Sequence, residues 1–134
     1  MGTDESQTEL PATQRLRIRT ETRDLDAGVV SLIRVEGEVD LANAEELAGA
    51  LRAGGDGAGI VLDLREVPFM DSTGLKVILI ASRDLDQPLN VVCGAGSAVR
   101  RLLDLAGVAD RVPSFESEDE ALDEIGPAGP RSAA

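Results

Sequence analysis

Residues 60–64, with the sequence Ile-Val-Leu-Asp-Leu, form an almost uninterrupted run of apolar residues. A strand with one face in water alternates apolar and polar side chains, whereas an unbroken run is typical of a strand covered on both faces. We therefore expect residues 60–64 to form a central buried strand, with the rest of the sheet and its helices arranged around it.

The residues that precede this strand predict a hairpin and a helix. Leu16 and Ile18 alternate with arginines, which is the pattern of a half-exposed strand, and residues 29–35 predict a second strand after a turn at residues 26–28. A helix is predicted over Leu41–Leu51, because apolar residues recur there at helical spacing.

Strands and helices alternate in the remainder of the sequence. The predicted elements are a helix that begins near Asp71 or Ser72 and includes Ser82, a strand over residues 89–93, a helix over residues 97–106, a weak strand over residues 112–115 and a last helix over residues 118–125. An opening hairpin followed by such alternation predicts an α/β fold, in which helices pack against a mixed sheet. We expect the folded domain to span residues 14–125, between flexible tails at residues 1–13 and 126–134.

Charge and composition exclude several classes of function. The formal net charge is −12, from 13 basic and 25 acidic residues, so the chain would repel nucleic acid and anionic membranes and attract proteins with a basic face. The sequence has no histidine, which removes the usual Ser-His-Asp and Cys-His nucleophile pairs and the commonest metal ligand. Its only cysteine, Cys93, lies in an apolar run and is typical of an inert core thiol in a reducing compartment.

Residues 69–74, Phe-Met-Asp-Ser-Thr-Gly, are the most informative segment for function. Asp71 has the residue type and position of a helix cap, and two hydroxyl side chains, Ser72 and Thr73, stand together at the predicted helix start. The positive end of the helix dipole and its free amides would favour an added phosphate there. Gly74 exposes backbone to close approach by another molecule, while Phe69 and Met70 belong either to the core or to a partner's groove.

Two other patterns have a chemical and a structural interpretation. Asp40, Asp63 and Asp71 lie near predicted strand ends, where carboxylates could gather around a divalent cation, although capping or solvated roles fit them better. The segment Gly94-Ala95-Gly96-Ser97-Ala98-Val99 follows a strand and opens a helix, as a dinucleotide-binding loop does. It ends in Val99 where Gly or Ala is needed, so a plain strand-to-helix turn is the better interpretation.

Three segments together resemble the STAS domain of anti-sigma factor antagonists. They are Val35-Glu36-Gly37-Glu38-Val39-Asp40, the segment from Ile60-Val61-Leu62-Asp63-Leu64 through Phe69-Met70-Asp71-Ser72-Thr73-Gly74-Leu75, and the helical segment over residues 97–107. In that family a Gly-Glu-x-Asp turn follows the second strand, and an Asp-Ser-Ser/Thr-Gly motif opens a helix after the central strand. The resemblance covers about residues 15–125 and implies a mixed sheet of four to five strands, with about four helices packed mainly on one side.

The resemblance also implies a function in partner switching. Such proteins bind an anti-sigma factor that is itself a serine kinase and thereby free a sigma factor. The kinase phosphorylates the serine after the motif aspartate, which corresponds to Ser72, and a metal-dependent phosphatase of the PP2C type reverses the reaction. Asp40, Asp71, Thr73, Gly74, Met70 and Phe69 are then expected to contact the partner or to shape the site.

Two alternatives remain open at this point. One is a binding module of the same fold that holds a nucleotide or another small anion at the helix start. The other is a hydrolase with Ser72 as nucleophile, which the missing histidine and the single lysine, Lys76, make remote. We expect a cytoplasmic monomer that is not an enzyme and has no cofactor or metal of its own, since ATP and Mg²⁺ would belong to the kinase.

Overall fold

A computed structural model describes residues 16–126, so both predicted tails lie outside the described residues, apart from Gly126. The elements, in chain order, are β1 (Arg17–Leu25), β2 (Gly28–Glu36), α1 (Ala44–Ala53), β3 (Gly59–Glu66), α2 (Ser72–Asp84), β4 (Leu89–Val92), α3 (Ala98–Ala106), β5 (Ser114–Phe115) and α4 (Glu118–Ile125). The strands form one sheet in the order β1-β2-β3-β4-β5. The pair β1 and β2 is antiparallel and the other pairs are parallel, which confirms the predicted mixed sheet.

The strand β3 is central and covered on both faces, as its apolar run predicts. Ile60, Leu62 and Leu64 pack into a cluster with buried residues of α1, α2 and α3, namely Leu47, Leu51, Ile78, Val99 and Leu103. Val61 faces the other way, into a smaller cluster that includes Ala121 of α4. Three helices thus cover one face of the sheet and one helix covers part of the other, in agreement with the predicted arrangement.

The acidic helix α4 is held to its face of the sheet by a network of ion pairs. Glu118 accepts hydrogen bonds from Nε and Nη2 of Arg34 at 2.8 and 2.9 Å, and lies 3.4 Å from Nη2 of Arg65. Arg65 in turn donates to the Asp63 carboxylate, with Nη2 2.7 Å from Oδ2. Asp63 is only 5% exposed, so these bonds account for the one charged residue in the buried run of β3.

Two predicted boundaries were wrong by a few residues. The helix predicted from Leu41 begins at Ala44, because residues 40–43 form a hydrogen-bonded turn that leaves Leu41 78% exposed. The last strand is limited to Ser114–Phe115, since the amides of Arg111 and Val112 donate to the carbonyl of Val108 in a turn.

The start of α2 packs on the loop after β2 without room for a side chain at Gly74. A methyl group built on Gly74 would lie 2.6 Å from Cγ of Met70 and 2.8 Å from Cγ1 of Val39, both of which are buried. These separations are far below van der Waals contact, so the glycine is required for close packing of the chain on itself.

The variant Gly74→Ala is expected to lose about 1–3 kcal/mol of unfolding free energy, the usual range for an overpacked core. Gly49→Ala is the matched control, because Gly49 lies within α1 and its added methyl would meet only Nη2 of Arg52 at 3.8 Å. That control is expected to gain about 0.5–1 kcal/mol from helix propensity. Urea unfolding measures the free energy of unfolding of both variants. Equal stability of the two would contradict the packing argument.

The Asp63–Arg65 pair is expected to make stability depend on pH. Burial by itself would raise the pKa of Asp63, but hydrogen bonds from Arg65 outweigh it and hold the pKa below its ordinary value. Because that pKa is lower in the folded chain than in the unfolded chain, the pair stabilises the fold above about pH 4. The contribution disappears as the pH falls through the folded-state pKa.

The variant Arg65→Met is therefore expected to be destabilised by about 1–3 kcal/mol at pH 7, because it leaves a buried carboxylate short of partners. The difference from the unchanged chain should shrink when urea unfolding is repeated near pH 3.5. Arg52→Met removes an arginine from the exposed pair with Glu45 and should have little effect at either pH. A loss of stability for Arg65→Met that does not change with pH would show that packing of Arg65, and not its charge, is responsible.

Candidate functional site

The ends of β2 and β3 bring the two motif segments side by side. Beyond the strands, Val39 and Met70 form an isolated parallel bridge, in which the Val39 amide donates to the Phe69 carbonyl at 2.9 Å and the Asp71 amide to the Val39 carbonyl at 3.0 Å. Asp40 and Asp71, which follow the bridged residues, therefore both lie at the carboxyl edge of the parallel sheet. This edge is where open α/β sheets present their functional side chains.

Asp71 caps α2, as the sequence predicts. Its Oδ1 accepts hydrogen bonds from the amides of Thr73 at 2.8 Å and Gly74 at 3.3 Å, and its carbonyl accepts from the Leu75 amide at 3.2 Å. The prediction that free amides at this helix start could receive a phosphate is therefore wrong for these three groups. Asp71 already satisfies them, and an added anion would meet its carboxylate.

The two hydroxyl residues differ in exposure. Ser72 is exposed, whereas Thr73 is partly buried. Among residues 16–126, no hydrogen bond involves the Ser72 hydroxyl, so the capping framework holds without it. Of the two hydroxyls at the helix start, that of Ser72 is the accessible one.

Met70 and Gly74 belong to the interior of the site. Met70 is 4% exposed and Gly74 is buried against it and against Val39. The interpretation of Gly74 as backbone left open to another molecule is wrong, because the chain itself fills that space. Met70 and Gly74 can shape the surface from below, while Phe69, at 48% exposure, is the apolar residue of the motif that reaches solvent.

Asp40 is engaged in a turn that leads into α1. Its Oδ1 accepts from the Ala42 amide at 2.9 Å, and its amide donates to Oδ1 of Asn43 at 3.0 Å. Asn43 is buried, and its Nδ2 donates to the Glu38 carbonyl at 2.8 Å, which ties both ends of the segment together. Asn43 was missed in the sequence, because its side chain bonds back to the segment before α1 and does not follow the usual signal of a capping Asn.

Leu41 was also missed as a surface residue. It lies within the turn of residues 40–43 that precedes α1 and is 78% exposed, and Phe69 lies on the adjoining segment after β3. The Val39–Met70 bridge joins their two segments, so both residues stand at the sheet edge that carries Asp40, Asp71 and Ser72; Leu41 and Phe69 are hereafter called the apolar rim. Exposed apolar patches bordered by polar residues are typical of protein-binding surfaces.

Asp63 and Cys93 lie outside this site. Asp63 is on the sheet face that carries α4, where Arg65 occupies its carboxylate, so Asp40, Asp63 and Asp71 do not meet. Within residues 16–126, no group of three or more acidic or cysteine side chains is placed to hold a metal ion. Cys93 is buried in the core, and burial raises the pKa of its thiol, which lowers its reactivity.

The glycine-containing segment before α3 is an ordinary strand-to-helix turn. Ser97 caps the helix by accepting from the Arg100 amide at 3.1 Å, and its hydroxyl donates to the Gly94 carbonyl at 2.8 Å.

In the part of the chain that the structure describes, no helix has the length and apolarity needed to cross a bilayer.

Comparison with known proteins shows the family of this chain. A family model described as the STAS domain matches residues 18–121. The chain is 40% identical over 68 residues to an anti-sigma F factor antagonist of Paenibacillus polymyxa, a match that covers 49% of this chain and 58% of that protein. It is 33% identical over 109 residues to an anti-sigma-B factor antagonist of Listeria monocytogenes, with 78% of this chain and 95% of that protein covered.

A solved structure gives the same result in three dimensions. The crystal structure of an anti-sigma factor antagonist from Mycobacterium paratuberculosis superposes with a TM-score of 0.69 at 32% identity, covering 81% of this chain and 94% of that chain. Since the family model spans most of the folded residues and the fold agrees along nearly the whole domain, this chain belongs to the STAS domain family.

Proposed function

We propose that this protein is an anti-sigma factor antagonist, which binds an anti-sigma factor of the serine-kinase type and is switched off by phosphorylation of Ser72. The names of the relatives at 33–40% identity support the first part of this proposal. The accessible Ser72 hydroxyl, directly after a capping aspartate and beside the apolar rim, supports the second part.

The exposed Ser72 hydroxyl is the observation on which the mechanism depends. A kinase can reach it without opening the fold, and no hydrogen bond among the described residues is broken when it is esterified. The bridge between Val39 and Met70 and the cap from Asp71 hold the surrounding backbone in either state. The phosphorylated protein should therefore keep its fold, and the switch would act on the docking surface alone.

Electrostatics gives the direction of this switch. A phosphoserine adds about −1.5 to −2 charges at neutral pH. At residue 72 this charge would lie next to the Asp71 carboxylate and on the same sheet edge as Asp40. A partner that fits the unmodified surface would meet added bulk, added negative charge and a strongly hydrated group. A loss of about 3–4 kcal/mol in binding corresponds to a factor of several hundred in affinity.

The remaining features of the proposal follow from this mechanism. The kinase partner would supply the ATP and Mg²⁺, and a phosphatase of the PP2C type would restore the binding form. A partner with a basic face would be drawn to a chain of net charge −12. We infer a cytoplasmic protein that acts as a monomer and is not itself an enzyme.

The two alternative functions have less support from the site. A small anion at the helix start would need amides that Asp71 already occupies, so a nucleotide-binding module is disfavoured. A hydrolase would need a base for Ser72, and the Asp71 carboxylate is committed to the cap.

The variant Ser72→Ala is expected to bind the cognate anti-sigma factor as tightly as the unmodified protein, and to keep that affinity after incubation with the kinase and ATP. The unchanged protein should lose affinity by about a hundredfold or more under the same treatment. Thr73→Ala is the matched control and should still be phosphorylated and released. Mass spectrometry and calorimetric titration measure the two outcomes.

Phosphate incorporation into Ser72→Ala at the rate of the unchanged protein would remove Ser72 from the proposed role. Equal affinity of the phosphorylated and unphosphorylated forms for the anti-sigma factor would refute the switch itself.

The apolar rim is expected to carry part of the binding energy. Phe69→Ala should weaken binding about 10-fold to 100-fold, as is usual for an anchoring aromatic contact, and should leave stability nearly unchanged because the side chain is 48% exposed. Val29→Ala is the control, since Val29 has a similar exposure of 46% and lies at the amino end of β2, the opposite end of that strand from Asp40. A similar loss of affinity for both variants would argue against the rim as the docking surface.

A further inference from the structure

Ser72 and Lys76 lie on one exposed stripe of α2. The helix spans Ser72–Asp84, so the two residues are separated by four positions, and both are exposed. Their Cβ atoms are then about 6 Å apart, one above the other on the same side of the helix. Within residues 16–126, Lys76 forms no ion pair, so its ammonium group is available.

Three of the amides at the helix start are not available to a phosphate on Ser72. The amides of Thr73, Gly74 and Leu75 already donate to Asp71, and the Asp71 carboxylate would repel the new group. Lys76 is the only lysine in the chain, and the other basic residue of α2, Arg83, lies eleven positions from Ser72 in the last turn, beside Asp84. The long lysine stem allows its ammonium group to reach a phosphate one turn away.

We propose that Lys76 is the counter-ion of the phosphate on Ser72, and that its charge favours the dianionic state of that phosphate. This inference rests on the proposed function, because that function is what places a phosphate at Ser72. In the unphosphorylated protein the same lysine presents a free positive charge beside the docking surface. Phosphorylation would therefore add negative charge and also remove a free positive charge from the docking surface.

The other charged groups around the stripe do not replace Lys76. On the segment between β2 and α1 they are Glu38 and Asp40, both negative. On α1, the helix packed against α2, the charged residues that line the groove between the helices are Glu45 and Arg52, and these pair with each other at 3.0 Å. Among the charged residues of α2 and of these neighbouring segments, Lys76 is the cation that lies one helical turn from Ser72.

The test uses the full chain with phosphoserine installed at position 72 during translation, so that no kinase is needed. Phosphorus NMR follows the second ionisation of the phosphate with pH in the unchanged sequence and in Lys76→Met. The ionisation should occur about 0.3 pH units lower when Lys76 is present, the size expected for an ion pair across one helical turn. In Lys76→Arg the second ionisation should occur at the same lower pH as in the unchanged sequence.

Arg83→Met is the matched control, because it removes one positive charge from the same helix at a position that cannot reach residue 72. Equal titration of the unchanged and Lys76→Met proteins would overturn the proposal, and so would an equal shift in Arg83→Met, which would indicate an effect of net charge. Since Lys76 is the only lysine, carbon-13 labelling of lysine provides one side-chain signal, and this signal should move with the phosphate titration.

A failure of the proposed function can be distinguished from a failure of the ion-pair inference. If the cognate kinase modifies another residue, the installed phosphoserine still titrates under the influence of Lys76, and the ion-pair inference stands for the modified chain. If the kinase modifies Ser72 but Lys76→Met titrates like the unchanged sequence, the function stands and this inference falls.

Discussion

The parallel pairing of β2 with β3, continued past the strands by the bridge between Val39 and Met70, is the interaction on which the site depends. It is made by backbone groups, so it fixes the two loops whatever side chains follow. Asp40 and Asp71 reach the same edge because they come directly after the bridged residues. Each carboxylate then organises its own segment, one before α1 and the other at the start of α2.

Under the proposed function, the groups that support the backbone are separate from the hydroxyl that would regulate binding. The groups that hold the backbone are Asp40, Asn43, Asp71 and Gly74, and none of them has to move when Ser72 is modified. The groups that would meet a partner under the proposed function are Phe69, Leu41 and Ser72, which are exposed at this edge. A change in surface chemistry is thus separated from a change in structure.

The sequence predicted most of the fold because its signals were local and consistent. The apolar run at residues 60–64 identified the central strand, and Asp71 identified the start of α2. The sequence could not show that Met70 and Val39 fill the space beside Gly74, since Val39 is distant in the chain. The sequence also could not show that Asp71 occupies the amides of Thr73 and Gly74. An aspartate before a helix is compatible with a capped start or with a start open to an anion, and only the orientation of its side chain distinguishes the two. Leu41 was misplaced because its apolar character fits a helix, whereas the Asp40–Asn43 turn dictates its exposure.

The absence of space at Gly74 has a consequence for how the proposed switch would diversify. Under the proposed function, duplicated copies of such an antagonist would each have to avoid the kinases of the others, and the packed floor of the site offers no freedom for that purpose. Differences between copies would have to lie at exposed positions such as Leu41 and Phe69, whose replacement leaves the interior undisturbed. Such copies would share one regulatory chemistry and still select different partners.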